Sequence, residues 1–270
     1  MKKPIRFTFL CLTALTALCL LSACRGNTGA DAPAPAAPAQ TPAAALPTEQ
    51  TAIPATDAPT LTQEARQAYA AALSALLNAH TLPDGTDLGY DASMSAEGNQ
   101  FALCDVNADG LDELIVMYTT TFTAGQTAGI YAYDGGQLRC LLTEYPLLTF
   151  YDNGMIQAGW SHNHGLSADF WPYTLYRYSE SAGGFENCGM VSAWEKAFAA
   201  ADGDGKPYPD AVDTDGAGSV YFIFPNEEYE EVAPVSAADY HAWREAQLGG
   251  AQERTLPFLA LTSENIAALQ

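Results

Sequence analysis

Tight turn sequences between short apolar segments are the feature that most restricts how this 270-residue chain can fold. Three of them lie at residues 134–136 (DGG), 152–154 (DNG) and 181–184 (SAGG). Turns of this length join antiparallel strands, because parallel strands need a crossover of about a dozen residues or more. The sequence therefore predicts a series of antiparallel hairpins.

Hydrophobic periodicity predicts the remaining elements. Tyr69, Leu73 and Leu76 recur at helical spacing, which predicts a helix over 62–79 that begins with a capping box of Thr60 and Gln63. Further helices are expected at 236–247 and 263–269. Strands are expected at residues 101–104, 114–120, 127–133, 137–143, 147–151, 155–160, 173–178, 185–191 and 220–224, and near Phe258. The expected class is α+β: mainly an antiparallel sheet of short hairpin-linked strands, with an N-terminal helix and one or two C-terminal helices.

Changes in composition divide the chain into three regions. Residues 1–24 have a basic start and a 15-residue apolar run, which is short for a membrane span and typical of a secretory signal. Residues 25–60 are rich in Ala, Pro and Thr and nearly lack bulky apolar side chains, so we expect a disordered linker. Residues 61–270 are expected to form a single globular domain.

The apolar run ends in Leu21-Ser22-Ala23-Cys24, which resembles the lipobox of bacterial lipoproteins. The resemblance implies cleavage before Cys24 and a lipid on its sulfur, whereas the alternative is an ordinary signal cleaved after a small residue. We therefore expect an exported protein that is anchored through Cys24 to the outer face of the bacterial cell membrane.

The charge balance excludes two classes of partner. The chain has 32 acidic and 11 basic residues and a net charge of −21; a form that begins at Cys24 would keep 8 basic residues and carry −24. Neutralising the phosphates of a nucleic acid requires clustered Lys and Arg, so we expect no nucleic-acid partner. A polybasic membrane-surface module is excluded for the same reason.

The acidic loop DVNADGLDE at 105–113 is the strongest chemical signal. Oxygen-bearing side chains occupy its positions 1, 3, 5 and 9, and glycine at position 6 permits a sharp turn. Ca²⁺ prefers six to eight oxygen ligands of this kind, so a structural Ca²⁺ is the expected cofactor. The expected ligands are Asp105, Asn107, Asp109, the backbone carbonyl of Leu111, and Glu113, with Asp112 as an additional or rival ligand.

The stretch DVNADGLDELIV resembles the calcium loop of FG-GAP repeats and, less closely, that of EF-hands. The twelfth position is Val116 instead of a bidentate Glu, and a strand follows instead of a helix, so the motif departs from the EF-hand pattern. A β-propeller needs four or more similar blades, and the loop has no second copy at a regular period. We therefore expect no propeller. A solvated turn that holds no metal remains the alternative.

Residues 202–216 form a second acidic stretch with looser spacing. Asp213 and Asp215 are its candidate ligands for a second cation, and ordinary turns are the alternative.

The aromatic segment 160–178 is the candidate ligand-binding region. Trp160, His162, His164 and Trp171 could contact a sugar or another small molecule, although aromatic side chains on strands more often lie in the core. The two histidines lack a third zinc ligand nearby, and Ser161 with His162 lacks the GxSxG motif of many hydrolases.

Cys104, Cys140 and Cys188 remain after the signal and Cys24 are set aside. They permit either one disulfide, whose pairing the sequence leaves open, or three thiols.

Residues 61–270 as a whole resemble uncharacterised lipoproteins of gut Firmicutes. The stretches that carry this resemblance are FALCDVNADGLDELIV, LLTFYDNGMIQAGWSHNHGLSADFWPYTLYRY and VDTDGAGSVYFIF. The resemblance implies the surface location and the calcium loop, but no activity.

The expected function is that of a non-catalytic binding or interaction module whose ligand is a surface polymer, a small molecule or another protein. The alternatives are a secreted hydrolase or carbohydrate-binding protein that uses the 160–178 region, and a structural subunit of an envelope assembly.

Overall fold

The computed structural model describes residues 61–91, 93–163, 166, 170–225 and 232–270. The expected signal, Cys24, the expected linker and His164 lie outside these residues. The three described helices are α1 (Gln63–Ala79), α2 (Ala237–Leu248) and α3 (Ser263–Ala267). The strands are β1 (Gln100–Cys104), β2 (Glu113–Tyr118), β3 (Thr127–Asp134), β4 (Gln137–Glu144), β5 (Leu148–Tyr151), β6 (Met155–Gly159), β7 (Tyr173–Ser179), β8 (Gly184–Glu195), β9 (Ser219–Phe224), β10 (Glu253–Arg254) and β11 (Leu259–Ala260).

The strands form two antiparallel sheets, each built mainly from consecutive hairpins. Sheet 1 has the order β11-β1-β2-β3-β4, and sheet 2 has the order β10-β5-β6-β7-β8-β9. The predicted α+β class is confirmed. The sequence did not reveal that the strands would divide into two sheets between β4 and β5.

The C-terminal segment supplies an edge strand to each sheet. β10 pairs with β5 through Arg254 and Phe150, and β11 then pairs with β1 through Leu259 and Phe101. Between these two short strands, Leu256 is buried among residues of both sheets. The strand expected near Phe258 is β11, whereas β10, which belongs to the other sheet, was not expected.

Side chains of successive strand residues face opposite sides of each sheet, and the elements stack in four layers. In β2, Leu114 and Val116 pack against α1 and α3, while Ile115 faces the second sheet. The outer face of sheet 2 is covered by α2, whose Tyr240 packs against Tyr173. The order is therefore α1 and α3, sheet 1, sheet 2, and α2, with an apolar core at each of the three interfaces.

The N-cap of helix α1 lies two residues later than the capping box of Thr60 and Gln63 predicted. Thr62 is the N-cap, and its side chain accepts a hydrogen bond from the N–H of Ala65 at 3.1 Å. Thr60 lies outside the described residues. The helix is fastened to sheet 1 by Tyr69, whose hydroxyl donates to the carbonyl of Asp112 at 3.0 Å and accepts from the N–H of Tyr133 at 3.2 Å.

The loop between β1 and β2 lies where the two sheets contact each other, a region that we call the seam and that includes Val106, Gly154 and Arg254. Val106 of this loop is buried in the core between the sheets. Arg254 of sheet 2 donates to the carbonyl of Asp105 at 2.9 Å. Gly154, in the turn between β5 and β6, lies so close that an added Cβ atom would stand 3.3 Å from the carbonyl oxygen of Asn107. Sheet 2 therefore supports the loop from two positions.

We predict that Gly154→Ala destabilises the protein more than Gly136→Ala does. Both glycines lie in hairpin turns with positive φ, +78° and +90°, so both substitutions carry a similar backbone strain of about 1 kcal/mol. Only the Cβ atom at 154 meets the loop, since no heavy atom lies within 4 Å of the corresponding position at 136. Urea unfolding should show an additional loss of about 1 kcal/mol for Gly154→Ala. Equal losses would mean that the turn does not support the loop.

Candidate functional site

The acidic loop is closed at its base by strand pairing. Cys104 of β1 pairs with Glu113 of β2, so residues 105–112 connect two adjacent strands of sheet 1. Glu113 is thus the first residue of β2, and its side chain is fixed by the sheet. Leu111, whose carbonyl is an expected ligand, lies in the loop with its side chain half exposed.

Side-chain oxygens of the loop accept hydrogen bonds from its backbone. The carboxylate of Asp105 accepts from the N–H groups of Ala108 at 2.7 Å and Gly110 at 3.0 Å. The Asp109 carboxylate accepts from Leu111 at 2.8 Å, and the amide oxygen of Asn107 accepts from Asp109 at 2.9 Å. These turns explain why Asp and Asn alternate here: each short side chain reaches a backbone donor two or more residues further along.

Glu113 is the buried member of the loop. Its side chain is 1% exposed, and its Oε2 accepts from the N–H of Val106 at 3.0 Å. Its Oε1 accepts from Nδ2 of Asn107 at 3.0 Å, and the same Nδ2 donates to Oδ2 of Asp109 at 2.9 Å. Oxygens of two carboxylates therefore converge on one nitrogen atom.

Burial is the main cause that raises the pKa of Glu113 to about 8. The hydrogen bond from Val106 opposes the shift, whereas the charges of Asp109 and Asp105 add to it. No basic side chain forms an ion pair with these acids among the described residues; the pair recorded there joins Lys196 to Asp210. The loop thus concentrates acidic side chains that have no ion-pair partner among the described residues, although the charge of Arg66 opposes the burial that raises the pKa of Asp112 and Arg254 donates to the carbonyl of Asp105.

The geometry separates Glu113 from its rival Asp112. Both oxygens of Glu113 accept hydrogen bonds from loop residues. The carboxyl of Asp112 is partly exposed, and its pKa is raised mainly by burial, while the backbone N–H of Asp105 opposes the rise. Glu113 is the residue that shares a hydrogen-bond donor with Asp109, so it fits the ninth position of the loop better.

The acids of the loop converge only in part. Within the described ranges, no three or more His, Cys, Asp or Glu side chains are grouped closely enough to hold a metal ion. Asp105 directs both carboxylate oxygens toward backbone N–H groups, so Asp109 and Glu113 are left as the convergent pair. The side chains expected to bind Ca²⁺ all offer oxygen atoms, which are the ligands that Ca²⁺ prefers.

The second acidic stretch is built from turns on the surface. Asp213 accepts from the N–H of Gly218 at 2.9 Å, and Asp215 accepts from Ala217 at 3.1 Å. The other carboxylate oxygen of Asp213 is buried without a hydrogen-bond partner in the described part of the chain, as is the hydroxyl of Tyr208. Burial, followed by the charge of Asp213, raises the pKa of Tyr208 to about 12.

The aromatic segment divides between core and surface. Tyr173 and Tyr176 are buried, whereas Trp171 is 39% exposed. Trp171 donates its indole N–H to the carbonyl of Trp160 at 2.7 Å, which fixes the orientation of its ring. His162 lies on an exposed loop, where its ring bonds to Ser161 at 3.0 Å.

A cleft of about 300 Å³ lies beside Trp171 on the outer face of sheet 2. The side chains that line it come from β6, from the segment that precedes β7, from the first residue of β7, and from α2: Gln157, Phe170, Trp171, Tyr173, Tyr240, His241 and Arg244. Of the four residues predicted to bind a ligand, Trp171 lines this cleft, Trp160 supports it, His162 is not among its lining residues, and His164 is not described. The contribution of α2 was missed because Arg244 is 73 residues away from Trp171 in the sequence. The rarity of basic residues in this chain was the signal that could have drawn attention to Arg244.

The three cysteines of the domain are free thiols. They are partly buried on β1, β4 and β8, and burial is the first cause that raises the pKa of each: Cys104, Cys140 and Cys188. The open alternative of one disulfide or three thiols is therefore resolved in favour of three thiols.

Comparisons with protein-family models, with curated proteins and with solved structures found no match for this chain. Within the described part of the chain, no helix has the length and apolar character required to cross a membrane. The fold and the local geometry therefore carry the functional argument.

We predict that Glu113→Gln removes a pH dependence of stability. The pKa of Glu113 is about 8 in the folded protein and about 4.5 when unfolded, so the folded state binds the additional proton between these values. Wild-type protein in chelator should therefore become less stable as the pH rises from about 5 to 8, by up to about 1.4 kcal/mol per pH unit.

Urea unfolding at several pH values measures this slope. The free energy of unfolding of wild type, relative to that of Glu113→Gln, should decrease as the pH rises from about 5 to 8. The exposed control Glu97→Gln should follow wild type. Parallel pH profiles for wild type and Glu113→Gln would show that the Glu113 carboxyl titrates normally.

Proposed function

We propose that this protein is a lipid-anchored, extracytoplasmic, non-catalytic binding module whose 105–113 loop holds a structural Ca²⁺. The observation that carries the metal proposal is the convergence of Asp109 and the buried Glu113 on one amide nitrogen, in a loop whose acids form no ion pair among the described residues. The observation that supports a binding role is the cleft beside Trp171. The anchor and the location rest on the N-terminal sequence.

The expected ligands would hold the ion with oxygens alone. The side chains of Asp105, Asn107, Asp109 and Glu113 and the carbonyl of Leu111 would supply them, with Asn107 presenting its amide oxygen. Bound Ca²⁺ would supply two positive charges to a loop that now relies on amide hydrogen bonds and on a raised proton affinity at Glu113.

A structural role fits the position of this loop better than a catalytic one. Glu113 is 1% exposed, so a substrate would not reach its carboxyl group. The loop is supported by Arg254 and Gly154 of sheet 2, so an ion there would reinforce the seam between the sheets.

The binding role depends on the cleft and not on the loop. Its lining combines an exposed indole with several polar groups, which is the composition of many small-molecule sites. None of its described lining residues is acidic, so the described lining offers no carboxylate pair for the hydrolase alternative.

Thermal unfolding of the protein in 10 mM Ca²⁺ and in chelator tests the metal proposal. Extracellular calcium sites bind at about 10⁻⁴–10⁻³ M, and a ligand at 100 times its Kd stabilises by about 2.7 kcal/mol. We expect an increase in Tm of about 3–10 °C. Asp109→Asn, which keeps an oxygen for the N–H of Leu111, should lose most of this increase, and the control Asp213→Asn should retain it.

The calcium proposal would fail if the Tm were the same in Ca²⁺ and in chelator. It would also fail if Asp109→Asn responded to Ca²⁺ as wild type does.

Metabolic labelling with a fatty-acid analogue tests the anchor. In a bacterial host, wild-type protein should carry the label and sediment with membranes, because two or three acyl chains hold a protein durably to a bilayer. Cys24→Ala should carry no label and leave the membrane fraction or remain unprocessed, and Cys11→Ala should behave as wild type. Retention of the label by Cys24→Ala would contradict lipidation at this residue.

A further inference from the structure

The cleft beside Trp171 has an unusual charge for this molecule. The chain carries 32 acidic residues, yet the described lining of the cleft contains none of them and includes both Arg244 and His241. These two residues lie on one face of α2 with Tyr240, one turn apart. The described lining of the cleft therefore carries a cationic side chain and no anionic one, on a strongly negative protein.

Arg244 is held in the cleft by neutral groups alone. Its Nη2 donates to the hydroxyl of Tyr151 at 2.9 Å and to Oε1 of Gln157 at 3.4 Å. No carboxylate among the described residues lies within 4.0 Å of its guanidinium, although Glu245 and Glu253 line a neighbouring cavity that Arg244 also borders. A partly buried cation without a carboxylate partner loses hydration that a ligand anion can replace.

Arg254 and Arg177 each donate to a backbone carbonyl, whereas no such bond is recorded for Arg244 among the described residues. Arg254 donates to the backbone carbonyl of Asp105, and Arg177 donates to that of Gln247. Arg244 instead bonds to side chains: its Nη2 donates to Tyr151 and Gln157, and the hydroxyl of Tyr173 is a further partner. A guanidinium group has five N–H donors in a planar fork that matches a carboxylate, so Arg244 retains capacity for a ligand.

Aromatic side chains form much of the lining of the cleft. Trp171 is held by its hydrogen bond to Trp160, and Phe170 packs edge-on against Tyr221 and Tyr240, with ring centroids 5.4 Å and 6.1 Å apart. An exposed indole provides a flat apolar surface on which a ring of a ligand can pack. The cleft thus places a ring platform beside a carboxylate-binding fork.

We propose that this cleft binds a sugar acid, with the carboxylate on Arg244 and the sugar ring against Trp171. This inference rests on the proposed binding role and specifies the class of ligand. A volume of about 300 Å³ accommodates one or two sugar rings at the end of a polymer or as a free molecule.

Matched sugar pairs test the proposal by calorimetry and by quenching of tryptophan fluorescence. The probes are galacturonate with galactose and glucuronate with glucose, which differ within each pair at the carboxylate alone. We expect at least one uronate to bind the full protein at least tenfold more tightly than its neutral partner.

Substitutions identify the residues responsible. Arg244→Gln should remove the preference for the uronate, Arg244→Lys should retain part of it, and Trp171→Ala should weaken the binding of both sugars. The control Arg177→Gln, outside the lining of the cleft, should bind as wild type. If Arg244→Gln does not fold, the comparison of the sugar pairs with wild type, together with Arg244→Lys, still decides the question.

Three outcomes would overturn the proposal. Equal affinities within both pairs would refute a carboxylate ligand while leaving a sugar-binding role in place. A preference that persists in Arg244→Gln would assign it to another site. The absence of binding by all four sugars at concentrations up to about 10 mM would refute the sugar acid and the sugar-binding role together, without affecting the calcium loop or the anchor.

Discussion

The buried carboxyl group of Glu113 is the constraint on which the conformation of the 105–112 loop, at the contact between the two sheets, depends. It lies at the first residue of β2, where its backbone belongs to sheet 1 and its oxygens receive hydrogen bonds from Val106 and Asn107 of the preceding loop. An ionised carboxylate at this depth is costly unless it is compensated, which is why its pKa rises to about 8. A proton neutralises this carboxyl group below about pH 8, and we propose that bound Ca²⁺ replaces that proton outside the cell.

The same loop, which joins two strands of sheet 1, also contacts sheet 2. Val106 enters the core between them, while Arg254 and Gly154 reach the loop from sheet 2. Sheet 2 carries the cleft on its opposite face, between α2 and the segment that contains Trp171. The seam and the cleft thus share one sheet, so an ion that stiffens the seam would also steady the surface that we propose for ligand binding.

Local patterns in the sequence predicted the secondary structure well and the tertiary arrangement poorly. Turn sequences such as 152–154 act over a few residues, so the hairpins and most strand bounds could be found from them. The division into two sheets depends on which faces bury each other, and Leu256 joins both sheets from a distant part of the chain. In the loop, alternation of Asp and Asn indicated the turns correctly, but it did not show that Asp105 would direct both oxygens to backbone donors. The cleft could not be found from local signals, because Arg244 reaches Gln157 across 87 residues.

The ionisation state of Glu113 tests the central claim most directly. In protein labelled with ¹³C at the glutamate carboxyl carbons, the Glu113 resonance is the one that disappears in Glu113→Gln. We predict that in chelator this resonance titrates with a midpoint near pH 8, and that saturating Ca²⁺ keeps it ionised from pH 6 upward. A midpoint near the usual value of about 4.5, unchanged by Ca²⁺, would contradict both the buried charge and the ion proposed to compensate it.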